Sequence, residues 1–212
     1  VHIENGEPGY EIVDSQAYDY IDAAAMPPLA DCALLYHGSL AIRNDGSAQA
    51  LQQLQRGRKL QRLMDVNLRA PWWQPESVMS QLQGARWIKL NEAELALLVP
   101  QTAALQLQMQ QLQQRCGAEL LIVTRGAAGA VVLTPGGEEF TVVPQGHDTV
   151  IDTVGAGNAF TSVMMLGLLS GWDVPLMLER AQAFASAITR IRGATCNDPA
   201  FYQPFIDDWV LK

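Results

Sequence analysis

The sequence has 212 residues, 49% apolar and 17% charged, with a formal net charge of −8. That is enough chain for one α/β domain with a sizeable core, and its acidity excludes nonspecific nucleic-acid binding, which needs a basic face. An anionic ligand must be met by local devices, namely helix N-termini and single lysines or arginines. Cys32, Cys116 and Cys196 are odd in number, far apart and without CxxC spacing. His2, His37 and His147 are equally scattered. Neither a disulfide framework nor a zinc site is expected, and the thiols read as free in a reducing compartment. The acidic N-terminus lacks the pattern of a signal peptide, and the most apolar run, Ala159 to Leu169, is too short to span a bilayer. The expectation is a cytoplasmic protein with no membrane partner.

In chain order, Val1 and Ile3, the turn "NGEPG" and then Tyr10 and Ile12 predict a strand–turn–strand hairpin. "DSQAYDYIDAA" opens on a capping residue and predicts a helix. "CALLYHG" is a short buried-strand pattern; "DGSAQALQQLQRGRKLQ" is helical, weakened near its end by Gly57. "LQRLMDVNLR" predicts a strand running into a polar loop, and "PESVMSQLQ" a short helix begun by proline. "ARWIKL" reads as a strand, and "NEAELALL" as a helix capped by Asn91. "QTAALQLQMQQLQQRCG" sets Leu105, Met109 and Leu112 on one helical face, with its glutamines as a neutral solvated face and Gly117 as the stop. "ELLIVTRG" predicts a buried strand, and "GAVVLTPGGEEFTVV" a hairpin. A helix from near Gly155 to Ser170 and a long one ending at Gly193 complete the series. Strands alternating with helices imply an α/β fold, three layers with a mainly parallel central sheet flanked by helices. Ligands of such sheets bind beyond the carboxyl ends of the strands.

Four loops lie there. In "DTVGAGNAF", Asp152 and Thr153 lead into Gly155, Ala156, Gly157 and Asn158. The glycines let successive N–H groups point one way at a helix start, which suits phosphate or developing negative charge; a plain glycine-rich turn is the alternative. It matches neither GxxxxGK[ST] nor GxGxxG, which leaves a nicotinamide-dependent enzyme without its fingerprint. In "IKLNEAE", Lys89 ends a strand within reach of a phosphate. Asn91 and Glu94 share a helical face and suit Mg²⁺ through retained waters, or they simply cap the helix. In "VTRGAAGA", Thr124, Gly126 and Gly129 let a nucleotide lie close to backbone, or form only a strand-to-strand loop. In "DVNLR", Asp65, Asn67 and Arg69 alternate, and Arg69 can pair with a phosphate or with Asp65.

Together, "MDVNLRAPWW", "WIKLNEAELALL", "LLIVTRGAAGAVVL", "DTVGAGNAF" and "FASAITRIRGA" resemble, over nearly the whole chain, the ribokinase-like sugar kinases of phosphofructokinase-B type, in particular the fructokinase and 2-keto-3-deoxygluconate kinase branch. The resemblance implies transfer of the ATP γ-phosphoryl to a hydroxyl of a sugar or sugar acid. It implies Gly155, Ala156 and Gly157 as an anion hole and Asn91 and Glu94 around Mg²⁺. Lys89, Thr124, Gly126, Gly129, Asp152 and Thr153 would serve the nucleotide and a monovalent cation such as K⁺, and Ala187 would border the adenine. Asp65, Asn67 and Arg69 would face the substrate.

Two departures bear on activity. The family motif is normally D-T-x-G-A-G-D, whose last acid is the catalytic base; this chain has Asn158 there. An amide cannot accept the proton, and a general base is worth roughly 10²–10⁴ in rate. The chain also starts within what resembles the tail of the family's lid. Residues 1–13 are then a lid remnant and residues 14–212 a core short of its N-terminal part. The sheet edge left uncovered would be met by a second copy or a partner. Impaired sugar phosphorylation is the leading expectation, and a non-catalytic nucleotide-binding or regulatory module the opposing one.

Overall fold

The computed structural model describes residues 2–4, 7–9, 12–26, 34–56, 60–145 and 150–211. Two short antiparallel strands come first, β1 (His2–Glu4) and β2 (Glu7–Gly9), paired His2 with Gly9 and Glu4 with Glu7. The second strand thus occupies residues expected in the turn. Tyr10, Cys32, Gly57 and His147, with their sequence expectations, lie outside the described residues.

The main sheet contains β3 (Leu34–Gly38), β4 (Gln61–Asp65), β5 (Trp87–Asn91), β6 (Leu120–Thr124), β7 (Ala130–Leu133) and β8 (Glu139–Val142) in that spatial order. β3 to β6 are parallel; β7 and β8 return antiparallel. Between them run α1 (Asp45–Gln55), α2 (Pro75–Leu82), α3 (Glu92–Leu98) and α4 (Leu105–Cys116). α5 (Ala156–Ser170), α6 (Val174–Ile188) and α7 (Gln203–Asp208) follow the sheet.

The pleat sorts the strand side chains into two cores. Met64, Ile88, Leu90, Leu121, Val123 and Val131 pack against Val78 and Leu82 of α2, Leu95 of α3 and Met109 and Leu112 of α4. Ile122, Ala130 and Val132 on the other face pack against Phe160 and Met164 of α5 and Met177, Leu178 and Ala181 of α6. These are the three layers expected from the alternating pattern. No helix among the described residues is long and apolar enough to cross a membrane.

Several local expectations are corrected. "DSQAYDYIDAA" forms two 3-10 turns, Ala17–Asp19 and Ala23–Ala25, instead of a helix. Its polar groups are drawn into tertiary bonds: Arg43 donates to both oxygens of Asp19 at 2.7 Å, and Ile21 N–H donates to Ser47 Oγ at 3.1 Å. The glutamines of α4 are not all solvated. Gln108 is buried and its Nε2 donates to the carbonyls of Val99 and Thr102, while Gln113 does so to Ala118 and Leu133. Each satisfies two carbonyls at the end of an element, which no apolar residue could do. The last long helix, expected to end at Gly193, stops at Ile188, where the Thr189 carbonyl turns to accept the N–H groups of Ile151 and Asp152.

Candidate active site

The loop before α5 is fastened at both ends. Ile151 and Asp152 donate their N–H groups to the Thr189 carbonyl at 2.8 and 3.2 Å. Asp152 accepts from Val154 N–H at 3.0 Å on one carboxylate oxygen and from Gly193 N–H at 2.9 Å on the other. Those two bonds, Val154 foremost, hold its carboxyl below the ordinary range. Gly155 then caps α5 with φ 86°, and a Cβ there would stand 2.6 Å from the Ala194 Cα. Only glycine permits both the left-handed turn and that approach. Ala156, Gly157 and Asn158 follow as the first turn of a fifteen-residue helix. Such an N-terminus presents amides that lack intrahelical partners and about half a positive charge. Thr153 and Asn158 are exposed, and the Asn158 side chain makes no hydrogen bond among the described residues.

Beneath this turn lies a buried ion pair. Asp65 ends β4, and Lys89, expected at the end of its strand, stands instead in the middle of β5 in register with it; Lys89 Nζ is 3.1 and 3.0 Å from the two Asp65 oxygens. Nζ would lie 3.6 Å from a Cβ placed on Gly157, which brings the ammonium against the loop. Thr161, one helical turn after Gly157, is 1% exposed; its hydroxyl donates to the Gly157 carbonyl at 2.8 Å and lies 3.4 Å from Asp65 Oδ2. Burial and then the charge of Asp65 push the Tyr36 phenol up to about 12. Asp65 is therefore the partner of Lys89 and not of Arg69.

Asn91 and Glu94 form a reciprocal cap. Asn91 Oδ1 accepts Glu94 N–H at 2.8 Å, and Glu94 Oε2 accepts Asn91 N–H at 2.9 Å. Glu94 Oε1 also accepts Leu68 N–H at 2.8 Å, which ties α3 to the loop after β4. Burial raises the Glu94 carboxyl against the pull of these bonds. On the tied loop Asn67 is half-buried with φ 44°, a left-handed conformation that asparagine tolerates, and Arg69 is exposed. Among the described residues no group of three or more His, Cys, Asp or Glu could hold a metal.

Thr124 pairs with Asn91 across the sheet and donates to the Leu90 carbonyl at 3.4 Å. Gly126 has φ 55° and open space around it, whereas a Cβ on Gly129 would fall 1.9 Å from the Val142 carbonyl oxygen. Gly129 is thus required by the packing of β7 on β8. Ala187 is half-buried on α6, two residues before the Thr189 carbonyl that holds the loop. Asp65, Lys89, Gly157 and Asn91 with Glu94 are thereby gathered at the carboxyl edge. Thr161, Leu68 and Thr189, which join these parts, carry no site signal in the sequence, and Gly193 reads there only as the end of a helix. Only the i, i+4 spacing from Gly157 marks Thr161 in advance.

The model of the pfkB family carbohydrate kinases matches residues 12–200. The chain belongs to that family. This pfkB-family chain is 27% identical to the aminoimidazole riboside kinase of Salmonella typhimurium over 199 residues, 86% of the chain and 60% of that protein. It is 32% identical to a fructokinase of Salmonella thompson over 141 residues, 61% of the chain and 62% of that protein. The chain therefore spans about three fifths of these curated relatives. Its fold is similar to fructokinase from Vibrio cholerae O395 in fructose-, ADP- and calcium-bound form, at 25% identity and a TM-score of 0.80, covering 95% of this chain and 71% of the other.

Proposed function

We propose that this pfkB-family chain binds MgATP at the Gly155–Gly157 loop and transfers the γ-phosphoryl to a sugar or sugar-acid hydroxyl slowly or not at all, because Asn158 stands where the family carries its base. The anion-holding parts support the binding half. They are a glycine-capped helix N-terminus fastened through Asp152, with a buried ammonium beside it. Thr124, Gly126 and Gly129 would lie along the nucleotide, with Ala187 at its base. Asn67 and Arg69, with Asp65 behind them, would face the acceptor. Mg²⁺ would neutralise phosphate charge and arrive with the nucleotide. Asn91 is exposed, and the Glu94 oxygens each hold one N–H, so both would meet the ion through retained waters. Both oxygens of Asp152 already receive N–H donors, a set that suits the fold better than a monovalent cation.

The observation that carries the catalytic half is Asn158 itself. The carboxylates near it are engaged, Asp152 by two amides and Asp65 by Lys89, so neither replaces the missing base. Calorimetry with MgADP and MgATP tests the binding. Sugar-dependent ADP release over a panel of ketoses and sugar acids tests the transfer. Asn158→Asp should raise that rate by roughly 10²–10⁴. Nucleotide binding without any gain in Asn158→Asp would favour a regulatory nucleotide-binding module.

A further inference from the structure

The buried pair under the loop sets a charge requirement on what the loop can hold, an inference that rests on reading the loop as a phosphate site. A helix N-terminus repels a cation. Lys89 nevertheless sits against the first turn of α5, with its side chain only 10% exposed, and Asp65, 7% exposed, supplies the compensating charge. The Thr161 hydroxyl on α5, which donates to the Gly157 carbonyl, lies 3.4 Å from Asp65 Oδ2, and the charge of Asp65 is felt by the phenol of Tyr36 on β3. Glu94 on α3 adds a further carboxyl whose ionisation responds to both Lys89 and Asp65. Asp65 thus counters the ammonium directly. An incoming anion must share Lys89 with Asp65 and approach a fixed carboxylate in the same enclosure. A single weak charge gains little from that exchange, whereas a di- or triphosphate gains Lys89 and the helix amides together.

We propose that Asp65 is a counter-ion gate, a positioning residue that keeps Lys89 paired until a phosphate competes for it and so makes the site selective for polyphosphates over single small anions. This gives Asp65 a task apart from contact with the acceptor.

Asp65→Asn tests it, since the amide keeps the shape and one acceptor but removes the charge. Binding of pyrophosphate and of orthophosphate is measured by calorimetry, alongside the ligand-free melting temperature. The variant should melt lower than the wild type, yet bind pyrophosphate roughly ten-fold tighter and orthophosphate measurably. A residue with a purely structural role does not move stability and affinity in opposite directions. The gain should vanish in a Lys89→Met background. Pyrophosphate affinity equal to or weaker than that of the wild type in a folded Asp65→Asn protein overturns the gate. Should Asp65→Asn fail to fold, the wild type decides through its lysine side-chain carbon resonances, which come only from Lys59, Lys89 and Lys212. Millimolar pyrophosphate should shift the Lys89 signal, and an unmoved signal overturns the proposal. The phosphate reading is judged separately: binding by Asp65→Asn without binding of any nucleotide by the wild type supports the gate and counts against MgATP as the native ligand.

Discussion

His37 on β3 is 7% exposed, and burial, with the charge of Arg62 adding to it, lowers its imidazole to about 4. The native residue stays neutral where the unfolded chain, titrating near 6.5, takes up a proton. Its contribution to stability is complete above about pH 6.5 and is lost as the pH falls towards 4, amounting to about 2 kcal/mol between pH 7 and 5. Urea unfolding of the wild type and His37→Gln checks this. The variant should be flatter over that window, and parallel curves would refute the assignment. At the same scale, Gly155 and Gly129 were legible as glycines of a loop, but the reasons for them were not. Their absent side chains make room for Ala194 and for the Val142 carbonyl, atoms distant in sequence. Asn158 was legible outright, because its chemistry is its own.

Among the elements, α3 shows how a local motif acquires a distant duty. The spacing of Asn91 and Glu94 suits either a metal site or a cap, and the pair forms a cap. Nothing in the spacing announced that Glu94 would also take the N–H of Leu68. Glu94→Ala leaves the amides of Asn91 and Leu68 without acceptors and should cost about 3 kcal/mol in urea unfolding. Hydrogen exchange at Leu68 should accelerate with it; protection unchanged there would separate the cap from the loop. The same limit explains the failed helix at residues 14–24. Its capping signals are real, with the Asp22 carboxylate accepting Ala24 N–H at 2.8 Å, but Arg43 binds Asp19 and leaves two isolated turns. Strands β3 to β6 and helices α2 to α5 were legible because their periodicity or capping is carried by consecutive residues.

For the whole molecule, the face of the sheet that supports α5 is closed by a segment with no periodic signature. Phe201, Tyr202, Phe205 and Trp209 gather on Phe184, Trp209 meets Trp172 edge-on at 5.9 Å, and Arg180 stacks 4.1 Å over Trp172. Trp209, 8% exposed, belongs to the same core as Phe160 and Met164 of α5. Trp209→Ala should therefore lower stability by roughly 3 kcal/mol in thermal or urea unfolding. A loss below a few tenths would show that the C-terminal segment does not brace the site helix. The sequence by itself determined the alternation of strands and helices, the four loops at the strand ends, and a glycine loop that carries an amide at Asn158, since each is written in neighbouring residues. Only the tertiary structure decided that Asp65 belongs to Lys89, that Thr161 ties that pair to Gly157, and that Asp152 sews the loop to Gly193. Such contacts join residues brought together by burial, and which partners a buried charge or an open amide finds is fixed by packing across the sheet.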